Sequence, residues 1–549
     1  MIIASPPKLL LDLNASDTTD IQRGGMLGLW MSLKQLEKKY PKSSQRPGNL
    51  AWDLTATTIT LDWHGQDFLV IDWLLKQSFL IDRKGLIQFI GLKSSNLINQ
   101  IHNHQVIHDT FLRHNKFYKK EKAHSETLAI EGGSIKLKYR ALKWYVHQTF
   151  AATLCDDKGY LLDGYIPIVS WLYPGATVRH AKLQATTKIE EKTEYAFALL
   201  FLPIVCQYFT LLSNSTKRDK KQAARYAIAI PDVRNFETAA NRCWQVKCDR
   251  EYQDCFVINL AEPALKYYSS STKKIASSQN CQVLLYEKLN RKSRQRIIFE
   301  IENFSITPQA LEDYQFAAEN FIGNKIFVND KSFVFRINSI RAIIADNLAR
   351  NLPWWWDLWE RVYQTESLES EDLDQQLVFN RRGLLAMLEQ DTKLQIYQDF
   401  IGAIHEALRK IYAKTYDRKR SRAENNQRIN KKYHAIRSEL SRCYDQESLE
   451  DFLADLLSRA GLNSSLYDRW EQILPLIVQE VSWKKTRNLS LLALASYKPR
   501  GFSLQKIPIK YWTKLLEVNY QSAVLFLIEQ PLLEILPETK LEIDSASEA

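Results

Sequence analysis

The greatest concentration of chemically able side chains lies in IHNHQVIHDTFLRH, which gathers His102, His104, His108, Asp109 and His114 into one short segment. Imidazole and carboxylate groups bind hydrolytic metals, and a His-Asp pair on one helix could offer a metal two adjacent ligands. A catalytic metal also needs ligands from separate elements and an open position. No distant aspartate motif accompanies these histidines. The segment therefore reads more readily as a hydrogen-bonded helix surface, with a metal-dependent nuclease built on His102–Asp109 as the alternative.

Seven cysteines stand at 155, 206, 243, 248, 255, 281 and 443. The number is odd and no CxxC occurs, which suits a reducing, cytoplasmic setting better than a disulfide framework. Cys243, Cys248, Cys255 and Cys281 could supply thiolates, but their spacing is not that of zinc knuckles. The paired carboxylates Glu190 and Glu191 lie in a charged stretch without a basic or aromatic frame and read as a solvated turn. There is no GxxxxGK[ST] phosphate loop, no dinucleotide fingerprint and no GxSxG elbow. The chain reads as a binder, with no catalytic residues, no cofactor and no metal.

What it binds is suggested by charge. The 549 residues carry a net charge of +11, with a pI near 9.0, and such an excess favours polyanions. Between Arg409 and Arg442, twelve lysines and arginines face only Asp417, Glu424 and Glu439. They are Arg409, Lys410, Lys414, Arg418, Lys419, Arg420, Arg422, Arg428, Lys431, Lys432, Arg437 and Arg442. Neutralising phosphates along such a track releases counterions, which favours binding. Two smaller clusters lie earlier: Lys116, Lys119, Lys120 and Lys122, and Lys217, Arg218, Lys220 and Lys221. Tyr412, Tyr416 and Tyr433 interleave with the main track, at a spacing that serves either base stacking or a helix core.

A third feature is the stretch DIQRGGMLGLWMSLKQLEKKYP, Asp20 to Pro41. Leu29, Leu33, Leu36 and Tyr40 recur at helical spacing. Each glycine costs a helix about 1 kcal/mol relative to alanine, so Gly24, Gly25 and Gly28 need a reason. Arg23 with Gly24 and Gly25 could seat an anion at a helix start. Close packing against another backbone would equally need the missing Cβ.

The elements that must position these residues change along the chain. Up to about residue 335 the pattern is mixed α/β. Strand alternation is clear in TITLDW, where Ile59, Leu61 and Trp63 face inward, and DFLVIDWLL follows as a fuller apolar run. Further strands are expected in SIKLKYRALKWYV, YAIAIP, CFVINLA, CQVLLYEKL, RIIFEIENF and KSFVFRI. Tyr195–Leu212 is uncharged over 18 residues, a marginal length for a membrane span, and reads as a buried strand that breaks near Pro203 and resumes. From about Arg341 helical spacing dominates, as in an antiparallel bundle. The fold class expected is α+β. The expected divisions are a mixed α/β region over 1–338, a helical connection over 339–378 and a helical bundle over 379–549.

Two segments carry a resemblance. SIRAIIADNLARNLPWWWDLWERV (Ser339–Val362) and FNRRGLLAMLEQ (Phe379–Gln390) resemble the large subunits of type I CRISPR effector complexes (Cascade), in the MYXAN and type I-B-like branch. RGGMLGLWMSLKQL is similar to that branch's Arg-Gly-rich helix start, with Gln22 where its usual histidine stands, and EYAFALLFLPIVCQYF to its central apolar strand. These anchors span most of the chain, and none is a catalytic signature.

The resemblance implies a cytoplasmic, non-catalytic subunit of antiviral defence. Its partners would be guide RNA, target duplex DNA, the displaced strand, and the backbone and small subunits of the complex, together with either a helicase-nuclease or a transposon-targeting protein. Such subunits hold the guide 5′ end, and the resemblance implies that the anion seated by Arg23, Gly24 and Gly25 is guide-RNA or DNA backbone. Lys116–Lys122 and Lys217–Lys221 would meet the duplex carrying the protospacer-adjacent motif (PAM), and Arg409–Lys432 the strands of the R-loop. Guide–target pairing would supply sequence specificity. The C-terminal bundle resembles the separate small subunits, and Met387 stands where an internal start would release it as a free unit. A rival reading is a scaffold that docks proteins through PWWWDLW.

Overall fold

The computed structural model describes residues 8–497 outside 93–95, 112–123, 131–132, 169–176, 180–185, 213–224, 270–276, 292–293, 322, 324, 330–331, 337, 359, 362–369, 391–394, 461–470, 472–473 and 477–482. The opening helix, Asp20–Lys39, begins with a capping box: the Thr19 hydroxyl accepts from Gln22 N, and Gln22 Oε1 accepts from Thr19 N at 2.7 Å. Its apolar stripe buries Met26, Leu29, Leu33 and Leu36. Beside it lies an antiparallel sheet in the order Leu9–Asp12, Thr58–Asp62, Ala51–Leu54. As expected, Ile59, Leu61 and Trp63 are buried.

Gly25 and Gly28 of that helix meet backbone, and Gly24 meets the Leu202 and Ile230 side chains. A Cβ on Gly25 would stand 2.5 Å from the Ala198 carbonyl oxygen, and one on Gly28 2.2 Å from that of Phe201. The elements they meet are the short helices Thr193–Leu199 and Leu202–Val205. This corrects the reading of Tyr195–Leu212 as a broken strand, since only Gln207–Leu211 is β. A run buried on every side shows no polar alternation, so its period cannot separate helix from strand. Pro203 sits in the first turn of its helix, where its missing N–H costs nothing. DFLVIDWLL is likewise a helix, Asp67–Ser78. Val70, Ile71, Leu74 and Leu75 are buried while Leu69 is 55% exposed, a helical stripe hidden in an apolar-dense run.

A five-stranded sheet forms the middle of the molecule, in the order Phe256–Val257, Gln207–Leu211, Arg225–Pro231, Gln279–Arg291, Arg294–Ile306. Its alternation divides two cores. Tyr208, Tyr226, Ile228, Ile230, Leu284 and Tyr286 join the core of the opening helix. Phe209, Leu211, Ala227, Ala229, Val283 and Leu285 face the opposite core, which takes in the helices Ala261–Ser269, Pro308–Asn320 and Ser339–Ala349. The same core continues through Leu384, Leu408 and Leu492 of the C-terminal helices Ser370–Gln390, Gln395–Thr415 and Trp483–Ser496. Helices Arg422–Ser441 and Gln446–Ala460 pack there too.

Strands in the first part and helices in the last make the fold α+β. The second core crosses both expected borders, 338/339 and 378/379. Trp354 and Trp355 are buried in it and Trp356 is half-buried, so these rings of PWWWDLW serve the core. Among the described residues no helix is long and apolar enough to cross a membrane.

Candidate nucleic-acid interface

The basic track of the C-terminal region folds into two helices joined by a tight tip. Helix Gln395–Thr415 carries Arg409, Lys410 and Lys414, and Arg418, Lys419 and Arg420 lie on the tip. Helix Arg422–Ser441 carries Arg428, Lys431 and Lys432, and Arg422 opens its backbone.

The tip is held by Asn425, which is fully buried. Its Oδ1 accepts from Asp417 N at 2.8 Å. Its Nδ2 donates to the carbonyls of Asp417 at 2.8 Å, Ser421 at 3.2 Å and Arg420 at 3.3 Å. Asp417 Oδ1 accepts from Lys419 N at 2.9 Å, and Ser421 with Glu424 forms a capping box on the second helix. The Lys419 amide holds the Asp417 carboxyl below its usual range, so it stays ionised.

This frame exposes Arg418 and Lys419, and neither has a carboxylate within ion-pair distance among the described residues. Asp417 is the acid of the tip, 3.2 Å from Arg420 and 3.8 Å from Arg428. Lys431 is exposed and Lys432 half-buried farther along the helix. The three earlier candidates have partners, two on their own helix and one on helix Gln446–Ala460. Arg409 and Lys410 lie 3.6 and 3.8 Å from Glu406, and Lys414 Nζ donates to the Arg459 carbonyl at 3.0 Å. Of the three tyrosines, Tyr412 is core, with its ring 5.5 Å from that of Tyr497, and Tyr433 packs on the same core. Tyr416, at the foot of the tip, is 51% exposed.

The other expected sites fare differently. Arg23, Gly24 and Gly25 do not build an anion seat. Arg23 N already bonds the Thr19 carbonyl at 2.9 Å, so both glycines lie beyond the amides that a helix start leaves free. Both are buried against the 193–205 segment. The Arg23 guanidinium donates to Thr18 Oγ1 at 3.2 Å and lies 3.6 Å from Asp20 and 3.9 Å from Asp232. Gln22, where the family's histidine was expected, donates from Nε2 to Glu191 Oε2 at 2.6 Å. Glu190 and Glu191 thus sit in the strand Thr186–Lys192 rather than a turn, with Glu190 exposed and Glu191 half-buried.

The histidines lie on helix Leu97–Thr110, turned inward. His102 Nε2 bonds Thr210 Oγ1 at 3.1 Å. His104 Nδ1 accepts from Ile87 N at 3.2 Å, which leaves its Nε2–H to donate to the Arg140 carbonyl at 2.7 Å. Burial lowers their pKa values to about 3 and about 4, so both are neutral at pH 7. Asp109 accepts from Tyr226 at 2.5 Å and contacts His108 at 3.1 Å. Of the metal-nuclease alternative's ligands, His102 and His104 are thus held by the fold, His108 pairs with Asp109, and His114 lies outside the described residues. Cys243, Cys255 and Cys281 fall in three separate hydrophobic clusters. The Cys248 side chain lies outside the described set, as do Lys116, Lys119, Lys120, Lys122, Lys217, Arg218, Lys220 and Lys221.

Two features escaped the sequence reading. Asn425 carries no charge, and nothing in the local pattern points to its role. The strand pair Gln279–Arg291 and Arg294–Ile306 left a signal that was passed over: Lys288, Arg291, Lys292, Arg294 and Arg296 follow one another without an acid. Pairing with Arg225–Pro231 ends at Glu287, so among the described residues the two strands continue alone.

Two family models match this chain: the DevT N-terminal domain over residues 10–200 and the DevT C-terminal domain over residues 389–510. The first contains the glycine-packed opening helix and the second the basic tip. The CRISPR-associated protein Cas8a1/Csx13 of Myxococcus xanthus (strain DK1622) is 24% identical over 529 residues, which cover 91% of this chain and 90% of that protein. The resemblance to the large subunits of CRISPR effector complexes is borne out by this near full-length match.

Proposed function

We propose that this chain is the non-catalytic large subunit of an RNA-guided type I CRISPR surveillance complex. In this reading it recognises the PAM, helps open target DNA and stabilises the R-loop. Guide RNA and the other subunits of the complex are its partners, and a helicase-nuclease or transposition proteins act after it. The near full-length similarity to a CRISPR-associated Cas8 protein supports the class.

The observation that carries the nucleic-acid role is the pinned tip, where Arg418 and Lys419 stand exposed beside Arg420 and Arg428, with no carboxylate within ion-pair distance of either among the described residues. Water-facing cations on a pinned backbone meet phosphates with release of condensed counterions and without sequence preference. Specificity then falls to guide–target pairing. The clusters Lys116–Lys122 and Lys217–Lys221 are proposed contacts for the PAM duplex. The test is charge reversal of Arg418, Lys419 and Arg420 in the assembled complex. Binding of matched target DNA is expected to weaken by at least tenfold at moderate salt, with assembly on guide RNA retained. Unchanged target binding overturns the assignment.

A further inference from the structure

The tip holds one more group than phosphate binding needs. Tyr416 closes helix Gln395–Thr415, with its amide on the Tyr412 carbonyl at 3.0 Å, and leaves its ring half in water. Of the three tyrosines that interleave with the track, Tyr412 is buried and Tyr433 half-buried, so Tyr416 is the one that offers an open face. The next two residues begin the stretch that Asn425 fixes, and Arg418 and Lys419 follow Tyr416 by two and three positions. An aromatic face and two exposed cations, neither ion-paired among the described residues, therefore stand within a few residues of each other on backbone that is tied down at Asp417, Arg420 and Ser421.

That combination differs from a duplex-binding surface. In a duplex the bases are stacked on each other and offer no free face, whereas an unpaired base seeks an aromatic plane while its flanking phosphates seek cations. We infer that Tyr416 is the stacking platform of a single-strand grip, in which an unpaired base lies on the Tyr416 ring and the adjoining phosphates meet Arg418 and Lys419. The ligand class is single-stranded nucleic acid without sequence preference, since every base has a π-face. Asn425 acts as a positioning residue: it touches no ligand and keeps the ring and the two cations in one geometry. This inference rests on the basic tip being a nucleic-acid contact.

The grip predicts separable signatures. With the full chain and labelled oligonucleotides of equal length, Tyr416→Ala is expected to weaken single-strand binding by about five- to hundredfold, the range of one lost base stack. Duplex binding should move less than twofold, and the slope of log affinity against log salt should not change, because no phosphate contact is lost. Arg418→Ala should instead reduce the single-strand slope by about 0.7. Tyr416→Trp should restore single-strand binding, and thermal melting checks that each variant folds. Single-strand affinity unchanged in Tyr416→Ala, or lost in parallel with duplex affinity, overturns the stacking role while the salt slope still reports the cations. Charge reversal at Arg418 and Lys419 that leaves both affinities unchanged overturns the underlying interface instead.

Discussion

Single residues show where sequence chemistry is ambiguous. The need for a missing Cβ at Gly24, Gly25 and Gly28 was legible, because glycine is costly in a helix. What comes close was not, because Ala198 and Phe201 are distant in the chain. Gly28→Ala should lower stability by about 1–3 kcal/mol through overpacking against the Phe201 carbonyl, measurable by urea unfolding. Arg23→Ala should lower the melting temperature modestly and leave guide-RNA assembly unchanged, since its contacts are Thr18, Asp20 and Asp232.

The histidines carry a pH signature. His102 and His104 are held neutral, so the unfolded chain takes protons below about pH 6.5 that the folded chain refuses down to about 4. Stability is thus complete above the unfolded pKa and falls as pH drops, by about 1–2 kcal/mol per histidine between pH 6.5 and 5. Denaturant melts at pH 7 and pH 5 check the sign, and His102→Gln should narrow the gap. A chain equally stable at both pH values would contradict the buried, neutral state.

Elements were legible where one face is wet and obscure where none is. The strand Thr58–Asp62 and the helices after Ser339 alternate or repeat as expected. Helices Thr193–Leu199 and Asp67–Ser78 were mistaken for strands because the apolar run hid their period. The charge of the tip could be counted from sequence, whereas its geometry could not, since it depends on a neutral asparagine reaching back eight residues to Asp417. Asn425→Ala strands the Asp417 amide and three carbonyls. It should cost about 1–3 kcal/mol and speed amide hydrogen exchange across residues 417–421. Unchanged exchange there would show that Asn425 does not hold the tip.

Across the whole molecule, the five-stranded sheet is the wall between two cores, and the second core runs from that sheet into the C-terminal helices. This bears on an internal start at Met387. That methionine is 3% exposed within helix Ser370–Gln390, and Gly383 of the same helix packs on the Phe321 ring. A chain beginning at Met387 would lose the partners Phe321, Ile340 and Ile344 of its own core. It should therefore be unstable alone, with early unfolding and dye binding to exposed apolar surface. A folded, soluble product of about 19 kDa in mass spectra of expressing cells, a mass expected of a domain-sized piece, would show that the bundle stands by itself.

The central claim is that the tip around Arg418 engages nucleic-acid phosphates, and the salt dependence of target binding tests it most directly. Contact with about six single-strand phosphates gives a log–log slope near −4 for the assembled complex. Reversing Arg418, Lys419 and Arg420 should flatten that slope by about 2 or more, at about 0.7 per lost contact. An identical slope in the reversed complex would contradict the account.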